Sequence, residues 1–258
     1  MVAADGHVTL TRDGRAARIV LDRPPLNVLT LEMIQELTAI CDRLAEAPEI
    51  VIVTLAAAGG RAFCAGVDVA AHAPDRAEPM LAAFEAMAER LLALDPILIA
   101  AVSGAALGGG WELALLCDFV VASERAMFGV PEVKLAALPP VAAAILPLLV
   151  GHLRALEFVV TGRQISAHEA QGLGLVSRVA SAENVETATR ELVATLLSQS
   201  GPAIRAAKAA VVAPRRDAIC RSLRAATEVY RSRLLPTQDA AEGIAAFLEK
   251  RAPAWKHV

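Results

Sequence analysis

Two rhythms of apolar and polar positions run through the chain. Residues 8–12 and 17–21 read as two strands of a hairpin that turns near Asp13-Gly14. Thr30 then stands where a helix cap belongs, ahead of Met33, Ile34, Leu37, Ile40, Cys41 and Leu44, an apolar stripe at helical spacing. Residues 50–55 form a continuous run rich in β-branched side chains, as in a strand covered on both faces. Residues 80–94 predict a helix, 97–102 a second buried strand, and 119–122 a third. Between the last two, Gly108-Gly109-Gly110 leads into a helix through Leu116. From Val141 onward the pattern is mostly helical, with Ser166, Ser181 and Thr237 as caps.

Strands that alternate with helices, followed by a helical tail, predict an α/β fold. The division expected is a core over residues 1–200 and a C-terminal helical segment over 201–258. In that segment Ala206, Ala209, Ala210, Ile219, Leu223 and Ala226 recur on shared faces, so it packs on its own core or on a neighbouring subunit. Residues 135–153 carry no Asp, Glu, Lys or Arg and are about long enough to cross a bilayer. Pro139, Pro140 and Pro147 lie within them, so a buried loop and core helix is the expectation, and no membrane partner.

Composition narrows the function. The 258 residues carry a net charge of -3 and only 3% aromatics, with no basic stripe, which argues against nucleic acid as a partner. Cys41, Cys64, Cys117 and Cys220 form no C-x-x-C pair and read as reduced thiols of a cytoplasmic protein. Residues 1–7 lack the basic and apolar regions of a signal peptide. His72, His152 and His168 show no metal-ligand spacing, and no metal is expected.

Two segments combine backbone freedom with apolar surroundings. They are Ala62-Phe63-Cys64-Ala65-Gly66-Val67-Asp68 and the run from Gly104 to Glu112. Glycines at a strand-to-helix junction let N–H groups approach a ligand, and the first N–H groups of a helix point outward at the positive end of its dipole. That suits an oxyanion; close helix–sheet packing is the alternative. No Lys-Ser/Thr follows the glycines, so this is not a phosphate loop. Glu112 lies in the first turn of the helix among apolar neighbours, either a partly buried functional carboxylate or an acid that offsets the dipole. Glu132, after Phe128-Gly129-Val130-Pro131, is a second acidic candidate or a solvated loop residue. Asp118 reads as a capping or paired structural acid.

These residues resemble the enoyl-CoA hydratase/isomerase, or crotonase, family, and the resemblance runs nearly end to end. It rests on Leu21-Asp22-Arg23-Pro24, Phe63-Cys64-Ala65-Gly66-Val67-Asp68, Gly108-Gly109-Gly110-Trp111-Glu112 and Phe128-Gly129-Val130-Pro131-Glu132. Thr161-Gly162, Gly172-Leu173-Gly174-Leu175-Val176 and Glu242-Gly243 through Lys250-Arg251 continue it. The resemblance implies repeated ββα units, a trimerisation segment at the C-terminus, and homotrimers or hexamers. It also implies an acyl-CoA thioester substrate, with coenzyme A as part of the substrate and no separate cofactor. Val67 and Gly109 would hold the thioester oxygen, and Glu112 and Glu132 would be the catalytic pair of a hydratase. Isomerases of the family commonly keep only the second of these acids. Substrate-binding positions implied in the same way are Arg23, Pro25, Leu26, Ala65, Asp68, Val69, Trp111, Pro140, Phe247 and Lys250.

Four departures bear on the acyl group. Pro24-Pro25-Leu26-Asn27 is one residue short, Val67 replaces a frequent alanine, Trp111 is bulky, and Pro139-Pro140 replaces a Pro-Gly. Residues 23–29 together with 139–144 resemble the subgroup that hydrates cyclohexa-1,5-diene-1-carbonyl-CoA in anaerobic aromatic acid degradation.

Overall fold

A computed structural model of the chain describes residues 6–258. The expectation for residues 1–7 therefore falls mostly on residues outside that range. The chain opens with β1 (Val8–Asp13) and β2 (Ala16–Leu21), paired antiparallel as the hairpin pattern requires. Thr30 caps α1 (Leu31–Ala45), its hydroxyl accepting from the Met33 N–H at 3.3 Å, and all six stripe residues are buried. Full burial of such side chains contributes about 1.5–3 kcal/mol each relative to exposure.

A repeated unit follows, in which one strand joins a large sheet and the next joins a small one. The first unit is β3 (Ile52–Ala57), β4 (Ala62–Cys64), a 3₁₀ turn over Val69–His72, and α2 (Ala77–Ala93). The second is β5 (Ile97–Val102), β6 (Ala105–Leu107) and α3 (Gly109–Leu115). The third is β7 (Phe119–Ser123), β8 (Met127–Gly129), a 3₁₀ turn over Pro131–Leu135, and α4 (Pro140–Val150). Then come α5 (His152–Thr161), β9 (Gln164–Ser166), α6 (Ala167–Gly172), β10 (Arg178–Ala180) and α7 (Val185–Leu197). The long α8 (Gly201–Val229), a π-helical turn over Tyr230–Leu234, and α9 (Gln238–Leu248) complete the fold.

The large sheet runs β1-β2-β3-β5-β7-β10, parallel from β2 onward, and the small one β4-β6-β8-β9. Because both strands of each unit are followed by the chain's return to the next, the ends of β4, β6 and β8 converge and open onto one place. Asp118 is a paired structural acid, as expected. Its Oδ2 accepts from the Leu98 N–H and from Lys208 Nζ, both at 2.8 Å, which ties α8 to the sheet.

Two local expectations change. Ser181 does not cap α7; Asn184 occupies the cap position and donates its side-chain N–H to the Ser181 hydroxyl at 2.8 Å. The apolar run 135–153 is buried only in part: Leu148, Leu149 and Leu153 are 52%, 48% and 81% exposed, on the outer side of α4 and the start of α5. Among the described residues no helix is long and apolar enough to cross a membrane.

Candidate active site

The N–H groups of Val67 and Gly109 are brought together by backbone packing. The segment after β4 is held against Leu29 by two hydrogen bonds, Leu29 N–H to Gly66 O and Asp68 N–H to Leu29 O, both 2.9 Å. Neither bond uses the Val67 N–H, and Gly109, first residue of α3, has no carbonyl one turn earlier in its helix to meet. Gly66 adopts φ +113°, and a Cβ there would lie 3.4 Å from Leu107 O and 3.9 Å from Gly109 N. A Cβ on Gly110 would collide with the Cys64 carbonyl. Tight helix–sheet packing thus brings Val67 and Gly109, whose N–H groups make no backbone hydrogen bond among the described residues, onto the wall of one cavity.

That cavity has a volume of about 70 Å³ and is lined by Val67, Gly109, Glu112, Glu132, Pro140 and a mostly apolar wall. Glu112 is 3% exposed, and its Oε1 accepts from the Ala142 N–H at 2.9 Å. The donor belongs to the first turn of α4, where N–H groups have no helical partner. Pro140 opens that helix, so its missing N–H costs nothing, and the turn behind it serves as the clamp on Glu112. Glu132 follows Pro131 in the 3₁₀ turn, and its Oε2 is buried with no hydrogen-bond partner. It is not the solvated loop carboxylate that its local sequence allows.

Burial raises the Glu112 carboxyl above the usual carboxylate range, against the Ala142 and Val141 amides that favour its charge. Burial raises Glu132 as well, and the charge of Glu112 adds to it. Desolvation thus favours the protonated form of both carboxyls, and the Ala142 and Val141 amides oppose it at Glu112.

The other expected residues divide. Ala65 and Val69 line the cavity. Leu26 accepts from the Ala65 N–H at 2.9 Å, which places the Arg23-Pro25-Leu26 loop at the cavity's edge. Asp68 caps the 3₁₀ turn, its Oδ1 accepting from the Ala70 N–H at 3.1 Å. Trp111 is a correction: its ring is 1% exposed and packs on Phe128 and Phe158 at 6.1 and 5.7 Å, inside the core and off the cavity. Successive helical residues point about 100° apart, so the face that directs Gly109 and Glu112 to the cavity turns Trp111 away. Phe247 and Lys250 are exposed at the end of α9 and do not line the cavity.

Three residues had no signal in the sequence. Asn27, fully buried at φ 50°, accepts from the Arg23 N–H and donates to Ala58 O and Ala62 O, each at 2.9 Å, fixing the loop against β4. His72 lines the cavity from the 3₁₀ turn, and Tyr230 lies 3.0 Å from its Nδ1.

Two backbone N–H groups beside two buried carboxyls can stabilise charge on a carbonyl oxygen while adding or removing a proton at nearby carbon. Comparison with known proteins agrees. The family model described as enoyl-CoA hydratase/isomerase matches residues 12–258. A Mycobacterium tuberculosis protein called "probable enoyl-CoA hydratase" is 38% identical over 255 residues, 97% of this chain and 98% of that one. A carnitinyl-CoA dehydratase of Proteus mirabilis is 34% identical, with 96% and 97% covered. The crystal structure of an enoyl-CoA hydratase from Mycobacterium avium subsp. paratuberculosis superposes with a TM-score of 0.86 at 28% identity, with 97% and 99% covered.

Proposed function

The chain belongs to the enoyl-CoA hydratase/isomerase family, and we propose that it is a hydro-lyase that adds water across a C=C bond conjugated to a CoA thioester. The observation that carries this reading is the presence of Glu112 and Glu132 on one cavity wall with the free N–H groups of Val67 and Gly109. An isomerase needs one proton shuttle; addition of water also needs a group that positions and deprotonates the water.

In the reaction the thioester oxygen accepts from Val67 and Gly109 N–H, which draws electron density from the β-carbon. Ionised Glu112 takes a proton from water as the water oxygen bonds to that carbon. The C=C electron pair passes toward the thioester oxygen and returns to bond the α-carbon to the proton delivered by Glu132. The pair ends with its proton exchanged from one carboxyl to the other. Arg23, Pro25, Leu26, Ala65 and Asp68 form the edge over which the CoA moiety would enter. Phe247 and Lys250 would meet CoA across a subunit boundary in a homotrimer or hexamer. The finer reading of the acyl group is a cyclic dienoyl-CoA, supported by the resemblance over residues 23–29 and 139–144. The test is a panel of linear and cyclic enoyl-CoA esters followed by loss of the conjugated thioester absorbance. Hydration by wild type and its loss in Glu112→Gln are expected; double-bond migration that survives Glu112→Gln would replace hydratase by isomerase.

A further inference from the structure

We infer that His72 and Tyr230 form a polar subsite in the acyl pocket, one that donates a hydrogen bond to a neutral oxygen carried by the acyl group beyond its reacting carbons. The inference rests on the hydratase reading for the placement of the acyl group, and on its own geometry for the rest.

His72 closes the 3₁₀ turn that begins directly after the Val67–Asp68 segment, and its ring is part of the cavity wall. Besides Glu112 and Glu132, the same wall contains the apolar Met80, Leu81, Phe84, Leu135 and Leu138. An imidazole in such company is costly unless its nitrogens are used. One is: Nδ1 lies 3.0 Å from the Tyr230 hydroxyl, with the two rings stacked at 6.2 Å. Tyr230 is 1% exposed, 158 residues away in sequence, in the cluster that contains Met80, Leu81 and Ala137. It begins the π-helical turn Tyr230–Leu234, a local departure from α geometry at the point where α8 reaches the site. Such turns mark functional positions more often than regular helix does.

The direction of the hydrogen bonds follows from the partners. The backbone amide of Leu138 faces the phenol oxygen, and an amide N–H can only donate. A phenol oxygen that accepts from that amide has its proton free for His72 Nδ1, 3.0 Å away. Burial keeps the ring neutral, pushing its pKa down to about 4, so the single ring proton sits on Nε2. Among the described residues Nε2 makes no hydrogen bond, and His72 belongs to the cavity wall. Besides the Val67 and Gly109 amides and the two carboxyls, the pocket thus carries one further uncharged N–H, set among apolar side chains. Its complement is a hydroxyl, ether or carbonyl oxygen. A quaternary ammonium has no acceptor to offer, and a plain hydrocarbon leaves the donor unpaired.

The test compares matched esters. Pent-2-enoyl-CoA is set against its 4-hydroxy and 5-hydroxy analogues, and cyclohexa-1,5-diene-1-carbonyl-CoA against a ring-hydroxylated analogue. Each is read by kcat/KM and, separately, by calorimetric binding. Wild type is expected to favour at least one oxygenated ester over its parent by about tenfold or more. His72→Leu should abolish the preference by lowering kcat/KM on the oxygenated esters about tenfold more than on the parent, and His72→Gln, which keeps an N–H near the Nε2 position, should retain part of it. Tyr230→Phe, which leaves the ring packed but frees the tautomer, should weaken it; this variant also serves should His72→Leu not fold. Equal kcat/KM and binding for parent and oxygenated esters in wild type would overturn the subsite and leave the hydratase standing. Absence of hydration with every ester would overturn the hydratase reading, while a binding preference lost in His72→Leu would still sustain the subsite.

Discussion

Glu112 on α3 and Ala142 on α4 are joined by a 2.9 Å hydrogen bond across 30 residues of chain. The helix that approaches the site end-on thus clamps one glutamate of the pair and not the other. Glu132 keeps a buried oxygen with no partner. The asymmetry is what the proposed roles rest on, with Glu112 as base and Glu132 as acid.

Glu112→Gln and Glu132→Gln are each expected to lower hydration by about 10²-fold or more, the usual scale of general acid–base catalysis. The double variant should lose far less than the product, because both groups act on one water. Binding of a CoA ester should survive in all three, since the oxyanion donors are backbone. Steady-state kinetics with calorimetry check this, and an unchanged rate for Glu112→Gln would end the two-carboxylate mechanism.

Ala142→Pro removes the N–H that favours ionised Glu112, at a helix position where that N–H has no role in the α4 ladder. The base then holds its proton to higher pH, so the acidic limb of the pH–rate profile should move upward. A profile that stays in place would show that the clamp does not tune the base.

Stability should respond to Glu132 with a definite sign. Burial and Glu112 raise its carboxyl, so the folded chain retains that proton to higher pH than the unfolded chain does. Wild type consequently loses stability as pH rises from the ordinary carboxylate range through the raised value. Glu132→Gln should therefore unfold at higher temperature than wild type, by about 1 kcal/mol or more at pH 8, or roughly 2–4 °C, and by much less at pH 5. Differential scanning fluorimetry across that range measures it.

Gly110 lies where a Cβ would meet the Cys64 carbonyl, a backbone group that cannot swing aside. Gly110→Ala should cost about 3 kcal/mol or more and pull α3 off β4. Insoluble expression or a large drop in Tm is expected, against a mild effect for Gly172→Ala, where nothing lies within 4 Å.

Leu148, Leu149, Leu153, Leu156 and Val160 leave an exposed apolar strip along α4 and α5. A strip of this kind is the surface that a subunit interface would cover. Light scattering should give trimers or hexamers, and Leu153→Glu should shift the population toward smaller species; a monomeric wild type at micromolar concentration would refute it.

The sequence by itself determined what is local in origin. Strand and helix periods placed α1 and β5, a threonine hydroxyl placed the α1 cap, and glycines marked where backbone could meet backbone. The residues around Gly109, Glu112 and Glu132 identified the family because they lie in short contiguous runs. Tertiary structure alone decided what depends on chains that meet from far apart. No local pattern states that Ala142 would clamp Glu112, or that Tyr230 would reach His72 across 158 residues. Nor could composition say which way Trp111 would turn, since a bulky ring beside Glu112 suits pocket or core equally. The choice was made by helix phase and by the room left next to Phe128 and Phe158. Side-chain direction and desolvation are properties of packing, and packing exists only once the units have closed on one another.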